Sequence, residues 1–131
     1  MPVILDAHAL MVYLQRELGF ETVRSLLTRS LEANSPLMMT SVNLGEVLYI
    51  VIRERGSAQA EEIERIVHNL PIHIVDVDLN IAREAARFKA WKKMSYADCF
   101  AAALAKIHQA DLVTGDPEFR EVEGEITVRW I

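Results

Sequence analysis

The 131-residue chain has the length of one ordinary domain, and 51% of it is apolar, enough to build a buried core. No apolar run approaches the ~20 residues of a membrane span, and the one cysteine, Cys99, allows neither an internal disulfide nor a Cys/His zinc pattern, which suits a reducing cytoplasm. A net charge of −5 speaks against a generally basic nucleic-acid binder. If four of the 19 acidic residues face bound cations, however, 15 remain against 14 basic ones and the rest of the surface is nearly neutral.

The chain opens on Met1-Pro2-Val3-Ile4-Leu5-Asp6, with neither a basic start nor a small-residue cleavage site, and reads as a first strand over Val3–Leu5 rather than a signal peptide. Helical patterns follow to about Ala33, where Asn34-Ser35-Pro36 breaks them, and Leu37–Thr40 reads as a second strand. Val42–Arg55 carries Leu44, Val47, Leu48, Val51 and Ile52 at helical spacing and stops at Gly56-Ser57. A further helix over Ala58–Asn69 has Ile63, Ile66, Val67 and Leu70 as its stripe, and Pro71 ends it before a third strand, Ile72–Val75. Leu79–Lys92 is helical, Ser95 opens another helix to about His108, and Leu112–Thr114 and Ile126–Arg129 supply a fourth and a fifth strand. Strands alternating with helices imply an α/β fold with a mostly parallel sheet covered on both faces, formed by one domain over residues 1–131.

In such a sheet the ligand site lies beyond the carboxyl ends of the strands, near the point where strand order reverses. Asp6 directly follows the first strand, Glu46 lies in the early turns of the helix after the second, and Asp116 follows the fourth. Asp98 sits in the first turn of the helix leading back into that fourth strand, so it starts at the same edge. Each acid, taken singly, is explained as a helix cap. Asp116 precedes Pro117, and both Ser95–Asp98 and Asn43–Glu46 have capping-box spacing. Jointly they ask for more. The helix around Asp98 is apolar or alanine on nearly every side, a costly place for an unpaired charge, and four like charges on one edge repel one another. A multivalent cation relieves both problems, and an all-oxygen donor set favours Mg²⁺ or Mn²⁺.

Asp6 after its strand, Thr40-Ser41 leading to Glu46, the run Tyr96-Ala97-Asp98-Cys99-Phe100-Ala101-Ala102-Ala103-Leu104-Ala105, and Thr114-Gly115-Asp116-Pro117-Glu118-Phe119 resemble the acidic motifs of PIN domains. The chain length and the ending Glu125-Ile126-Thr127-Val128 resemble VapC-type toxins within that group. The resemblance spans essentially the whole chain. It implies a three-layer α/β/α sandwich around a five-stranded sheet and a ribonuclease using Mg²⁺ or Mn²⁺ on Asp6, Glu46, Asp98 and Asp116. It also implies a homodimer and an inhibitory antitoxin partner. Thr114 and Glu118 are supporting residues in this reading. The sequence departs from the family at His8, where Ser, Thr or Asn is usual: its imidazole either touches metal or phosphate, or is a polar surface group.

The expected chemistry is metal-activated attack of water on an RNA phosphodiester, leaving 5′-phosphate and 3′-hydroxyl ends. Arg83, Arg87, Lys89, Lys92 and Lys93 form the densest basic stretch, with Lys92 and Lys93 expected to hold the RNA backbone and Trp91 and Tyr96 to stack on bases or to pack on the core. Asp76 and Asp78 look like a ligand pair but follow the third strand. The family's strand order puts that strand at the sheet edge, so Asp78 is read as an N-cap. Surplus apolar residues, Met11, Val12, Leu14, Leu18, Phe20, Val23, Leu26 and Leu27 with Ile63, Ile66 and Val67, suggest an interface. Two other classes fit parts of the pattern: a phosphatase or phosphotransfer domain using Asp6, and a PIN fold that binds without catalysis. Against the first, His8 stands where a dehalogenase-type phosphatase has a second Asp, and no Lys follows Lys106.

Overall fold

A computed structural model describes residues 2–131. Strands β1 (Val3–Leu5), β2 (Leu37–Thr40), β3 (Ile72–Val75), β4 (Asp111–Thr114) and β5 (Val128–Trp130) form one sheet in the order β3-β2-β1-β4-β5, and every pairing is parallel. The helices are α1 (Ala7–Gln15), α2 (Phe20–Glu32), α3 (Ser41–Arg55), α4 (Ser57–His68), α5 (Leu79–Trp91) and α6 (Tyr96–His108), with a 3-10 segment over Pro117–Val122. The sequence reading anticipated this order of elements and the edge position of β3.

Strand side chains alternate between two separate cores, as the period of two requires. Val3, Leu5, Leu37, Met39 and Val113 pack with α1 to α4, around Leu10, Val23, Val47 and Val67. Ile4 and Leu112 face the other way, into Phe88, Leu104, Phe119 and the alanines of α6. Those alanines explain how α6 lies so close to the sheet: every residue from Asp98 to Ala105 is buried. Small side chains let the helix backbone approach, and the helix brings Asp98 inward with it.

Helix ends follow local chemistry. Asp6, Thr40, Asp78 and Ser95 each accept a hydrogen bond from a first-turn amide. The helical stretch before Ala33 divides because Arg16 turns left-handed (φ 53°) and Gly19 (φ 102°) restarts the chain as α2. The fifth strand begins two residues later than the sequence suggests. Ile126 is buried in the second core from a loop, and ladder pairing begins with Val128 opposite Leu112.

The chain leaves β1 toward β2 and β3 on one side and returns through β4 and β5 on the other. The reversal therefore falls between β1 and β4, whose ends are in register, Leu5 opposite Val113. Asp6 and Thr114 are the next residues out at that point.

Candidate metal centre

Asp6 is 1% exposed. Its Oδ1 accepts the Ala9 amide at 2.8 Å, capping α1, and its Oδ2 accepts the Thr114 hydroxyl at 2.5 Å. The same Thr114 oxygen accepts the Asp116 amide at 3.0 Å. One threonine thus ties the acid after β1 to the acid after β4. Asp116 in turn accepts the Glu118 amide at 2.9 Å and starts the 3-10 segment, as the Asp-Pro sequence predicts.

Asp98 is 6% exposed. Its amide donates to Ser95 Oγ at 3.2 Å, half of the expected capping box. The reciprocal half differs. The Ser95 amide donates not to Asp98 but to Glu118 Oε1, at 2.7 Å. Glu118 takes the bond that a capping box would give Asp98, and the Asp98 carboxylate is left to face the other acids. One oxygen each from Asp98, Asp116 and Glu118 lie within 4.8 Å of one another, a spacing that a single cation spans. Glu118, anticipated only as a supporting residue, belongs to the tightest group, whereas Asp6 and Glu46 stand outside it.

Glu46 reaches the site from the second turn of α3. Asn43, read from sequence as a cap, is instead the third residue of that helix: Thr40 is the N-cap and accepts the Asn43 amide at 3.0 Å. The buried Asn43 side chain accepts from the Thr40 hydroxyl at 2.5 Å and donates to the Ala97 carbonyl at 3.0 Å, joining the start of α3 to the start of α6. Sequence reasoning passed over this role because Asn43-Leu44-Gly45-Glu46 imitates a box; the overlapping Thr40–Asn43 pair was the signal. Glu46 Oε1 is buried with no hydrogen-bond partner, alone in this among the described residues.

The electrostatics agree with the packing. Burial pushes Asp6 up to about 7, opposed by its bonds from Thr114 and Ala9 and reinforced by the charges of Asp116 and Glu46. Burial, then the charges of Asp116, Asp6 and Glu118, push Asp98 up to about 8. Glu46 is raised by burial and by Asp116 and Glu118. Five carboxylates thus feel one another, and Asp6, Asp98 and Glu46 give up their protons less readily than ordinary carboxyls do.

Around this centre, His8 is exposed and its Nδ1 accepts the Gly115 amide at 3.2 Å. Asp76 is exposed, and Asp78 caps α5 through the Ile81 amide at 2.9 Å, as its edge position implies. Lys93 is exposed, and its backbone amide donates to Glu121 at 3.1 Å. Lys92 lies 3.5 Å from Glu125, whose carboxylate also draws Arg87 and Lys106. Lys89 reaches the Met94 carbonyl at 2.7 Å and braces the loop between α5 and α6. Trp91 is 81% exposed and so is not a core residue; Tyr96 leans on Phe100.

No curated protein sequence matches the chain. Solved structures do match in fold. VapBC2 from Rickettsia felis, bound to a promoter DNA fragment, has a TM-score of 0.77 at 16% identity, with 98% of each chain covered. DNA-bound VapBC from Salmonella typhimurium gives 0.78 at 16% identity, over 98% of this chain and 97% of that one. VapC20 of Mycobacterium tuberculosis, a toxin that cleaves the sarcin-ricin loop, gives 0.72 at 16% identity, over 97% and 98%. The sequence itself matches the PIN domain model over residues 3–125. With that span and the parallel sheet that carries the acids, the chain belongs to the PIN domain family.

Proposed function

We propose that the chain is a divalent-metal-dependent endoribonuclease, the VapC-type toxin of a toxin–antitoxin pair, acting as one PIN unit over residues 1–131. The observation that carries this reading is the unpartnered, buried Glu46 oxygen beside a cluster of carboxylates, with Asp6 and Asp98 raised by burial and by the like charges around them. An orphaned buried acceptor costs ~1–3 kcal/mol, and the donor set here is hard oxygen only. Both fit Mg²⁺ or Mn²⁺ held by Asp6, Glu46, Asp98 and Asp116, with Glu118 as a further ligand. When bound, such an ion supplies Lewis-acid activation of water and neutralises charge at the phosphorus.

The protein's own groups do the rest. Thr114 fixes the direction of the Asp6 carboxylate and the Asp116 backbone together. Asn43 and Ser95 hold the helices that present Glu46 and Asp98. Lys93, and Lys92 where it turns from Glu125, meet the RNA backbone, and Trp91 and Tyr96 offer rings to unpaired bases. Three residues separate Trp91 from Ser95, whose amide is bonded to Glu118, so the backbone span is at most about 14 Å. Bases stacked there lie a few nucleotides from the metal centre.

A phosphotransfer role for Asp6 lacks the partners such chemistry uses: His8 stands where a second Asp would be, and no Lys follows Lys106. The test is incubation with defined RNAs and Mg²⁺ or Mn²⁺. Cleavage leaving 5′-phosphate ends is expected in the native protein and absent with EDTA and in Asp6→Asn, Glu46→Gln, Asp98→Asn and Asp116→Asn. Lys92→Ala/Lys93→Ala should raise KM and flatten its salt dependence, and Asp76→Ala should cut like the native protein. Cleavage that persists in EDTA would refute the reading, and phosphate transferred to Asp6 from acetyl phosphate would favour the phosphotransfer class.

A further inference from the structure

The imidazole of His8 is exposed, yet it is not a free surface group. Its Nδ1 accepts the Gly115 amide at 3.2 Å, across 107 residues of sequence. Gly115 lies between Thr114, which donates to Asp6, and Asp116 of the carboxylate cluster. Position 115 has no room for a side chain. A Cβ there would stand 2.5 Å from His8 Cε1 and 3.0 Å from the Ile131 carbonyl oxygen. On the far side, the Ile131 amide donates to the Thr114 carbonyl at 3.0 Å. The turn that carries Asp116 is therefore gripped between the His8 ring and the last residue of the chain.

Two bonds join the segment after β1 to the end of β4 and the turn beyond it: Asp6 to Thr114, and His8 to Gly115. They are not equivalent. Asp6 is itself a proposed cation ligand, so its carboxylate has to serve the ion as well as Thr114. His8 stands outside the proposed ligand set, and its Nδ1 is bonded to the Gly115 backbone alone. We propose that His8 is a positioning residue, which with Gly115 forms a clasp that fixes the Thr114–Asp116 turn and sets Asp116 for cation binding. This rests on the metal-site reading above. It gives the departure from the family's usual residue at this position a physical role, because an imidazole Nδ1 and a side-chain amide or hydroxyl oxygen are all acceptors for the same backbone N–H.

The experiment is calorimetric titration of the full chain with Mn²⁺ alone, without RNA, with melting temperatures recorded in EDTA. The proteins are the native chain, His8→Ala, His8→Asn, Gly115→Ala and the double variant His8→Ala/Gly115→Ala. Partners one step removed from a metal ligand are typically worth about tenfold or more in affinity. His8→Ala should weaken Mn²⁺ binding by about that factor while leaving the EDTA melting temperature close to native. His8→Asn keeps an acceptor at the place of Nδ1 and should restore binding. Gly115→Ala should weaken binding at least as much, and adding it to His8→Ala should cost clearly less than it does alone, because the ring that its Cβ would strike is gone and only the 3.0 Å approach to the Ile131 carbonyl remains.

Native binding by His8→Ala would overturn the clasp. So would His8→Asn as weak as His8→Ala, or losses that simply follow the EDTA melting temperatures. Full additivity of the two single losses in the double variant would overturn it too. A native chain that binds no Mn²⁺ at all would instead refute the metal-site reading and take the clasp with it. The two failures are thus told apart by the native titration.

Discussion

At the scale of single residues, Asp6 and Asp98 are both caps or cap neighbours and members of a charged cluster, and the two roles have opposite consequences for stability. A carboxyl whose folded pKa is raised above its unfolded value opposes folding once pH exceeds the unfolded value, near 4, and the cost is complete above the folded value. For Asp6 the folded value is about 7 and for Asp98 about 8, so the cost develops between about pH 4 and pH 8. In metal-free protein Asp98→Asn should therefore stabilise by ~1–3 kcal/mol near neutral or slightly alkaline pH, since each tenfold change in proton affinity corresponds to ~1.4 kcal/mol. The gain should vanish below pH ~4, where the carboxyl is neutral in the folded and unfolded states alike. Asp6→Asn should gain less, because the Thr114 hydroxyl loses the acceptor it has in the carboxylate. Saturating Mn²⁺ should reverse the order, since it stabilises the native chain by mass action and the variants much less. Melting curves near pH 5 and pH 8, each with EDTA and with Mn²⁺, check all of this. If the acids served as caps alone, the melting temperatures would respond neither to pH in this way nor to metal.

At the scale of elements, the site is the meeting of three starts: the N-termini of α3 and α6 and the turn after β4. Asn43 is the direct bond between the first two. Asn43→Ala removes a buried group that partners both Thr40 and Ala97, so a loss of ~1–3 kcal/mol is expected. Asn43→Asp should be at least as damaging, because it turns an acceptor toward the Ala97 carbonyl. Thermal melting in EDTA reads the loss, and a weakened Mn²⁺ affinity in the same variants reads the slackened placement of Glu46 against Asp98. Unchanged stability in Asn43→Ala would contradict this account of the junction. This is also the scale at which sequence reading ran out. Asp6, Asp98 and Asp116 are legible because each abuts a strand or cap whose pattern is local. Glu118's bond to the Ser95 amide joins residues 23 apart, and nothing in either local pattern announces it. Asn43 was misread because two overlapping cap patterns compete for one residue, and the burial that decides between them comes from α6. The start of β5 slipped for a related reason: Ile126 is apolar because it plugs the second core, not because it pairs in the sheet.

At the scale of the whole molecule, most of the apolar surplus in the N-terminal third is core. Val12, Val23, Leu26 and Leu27 are buried, while Leu18 is 97% exposed. Met11 and Leu14 of α1, Val51 of α3 and Ile63 and Ile66 of α4 line a groove between the three helices, together with Gln15, Glu54, Arg55 and Gln59. Tyr49 and Ile52 are half-exposed on α3. A groove of apolar side chains interspersed with charged and amide ones suits an amphipathic helix such as a small antitoxin would offer, and the exposed apolar residues on α3 suit a second copy. Sedimentation at micromolar concentration should give a dimer with or without metal; a monomer in both conditions would contradict it. The alternation of elements was legible throughout, since each strand is short, apolar and bounded by a cap or a breaker, and the edge position of β3 followed from the family likeness. Everything functional converges on whether the carboxylates at the β1–β4 reversal bind a divalent ion. The most direct measurement is calorimetric Mn²⁺ titration of the native chain and Asp98→Asn near neutral pH, in two buffers of different ionisation enthalpy. Asp6 and Asp98 retain protons in that range, so binding should release about one proton or more, and Asp98→Asn should bind far more weakly and release less. Absence of binding, or equal affinity in Asp98→Asn with no proton released by either protein, would contradict the metal centre.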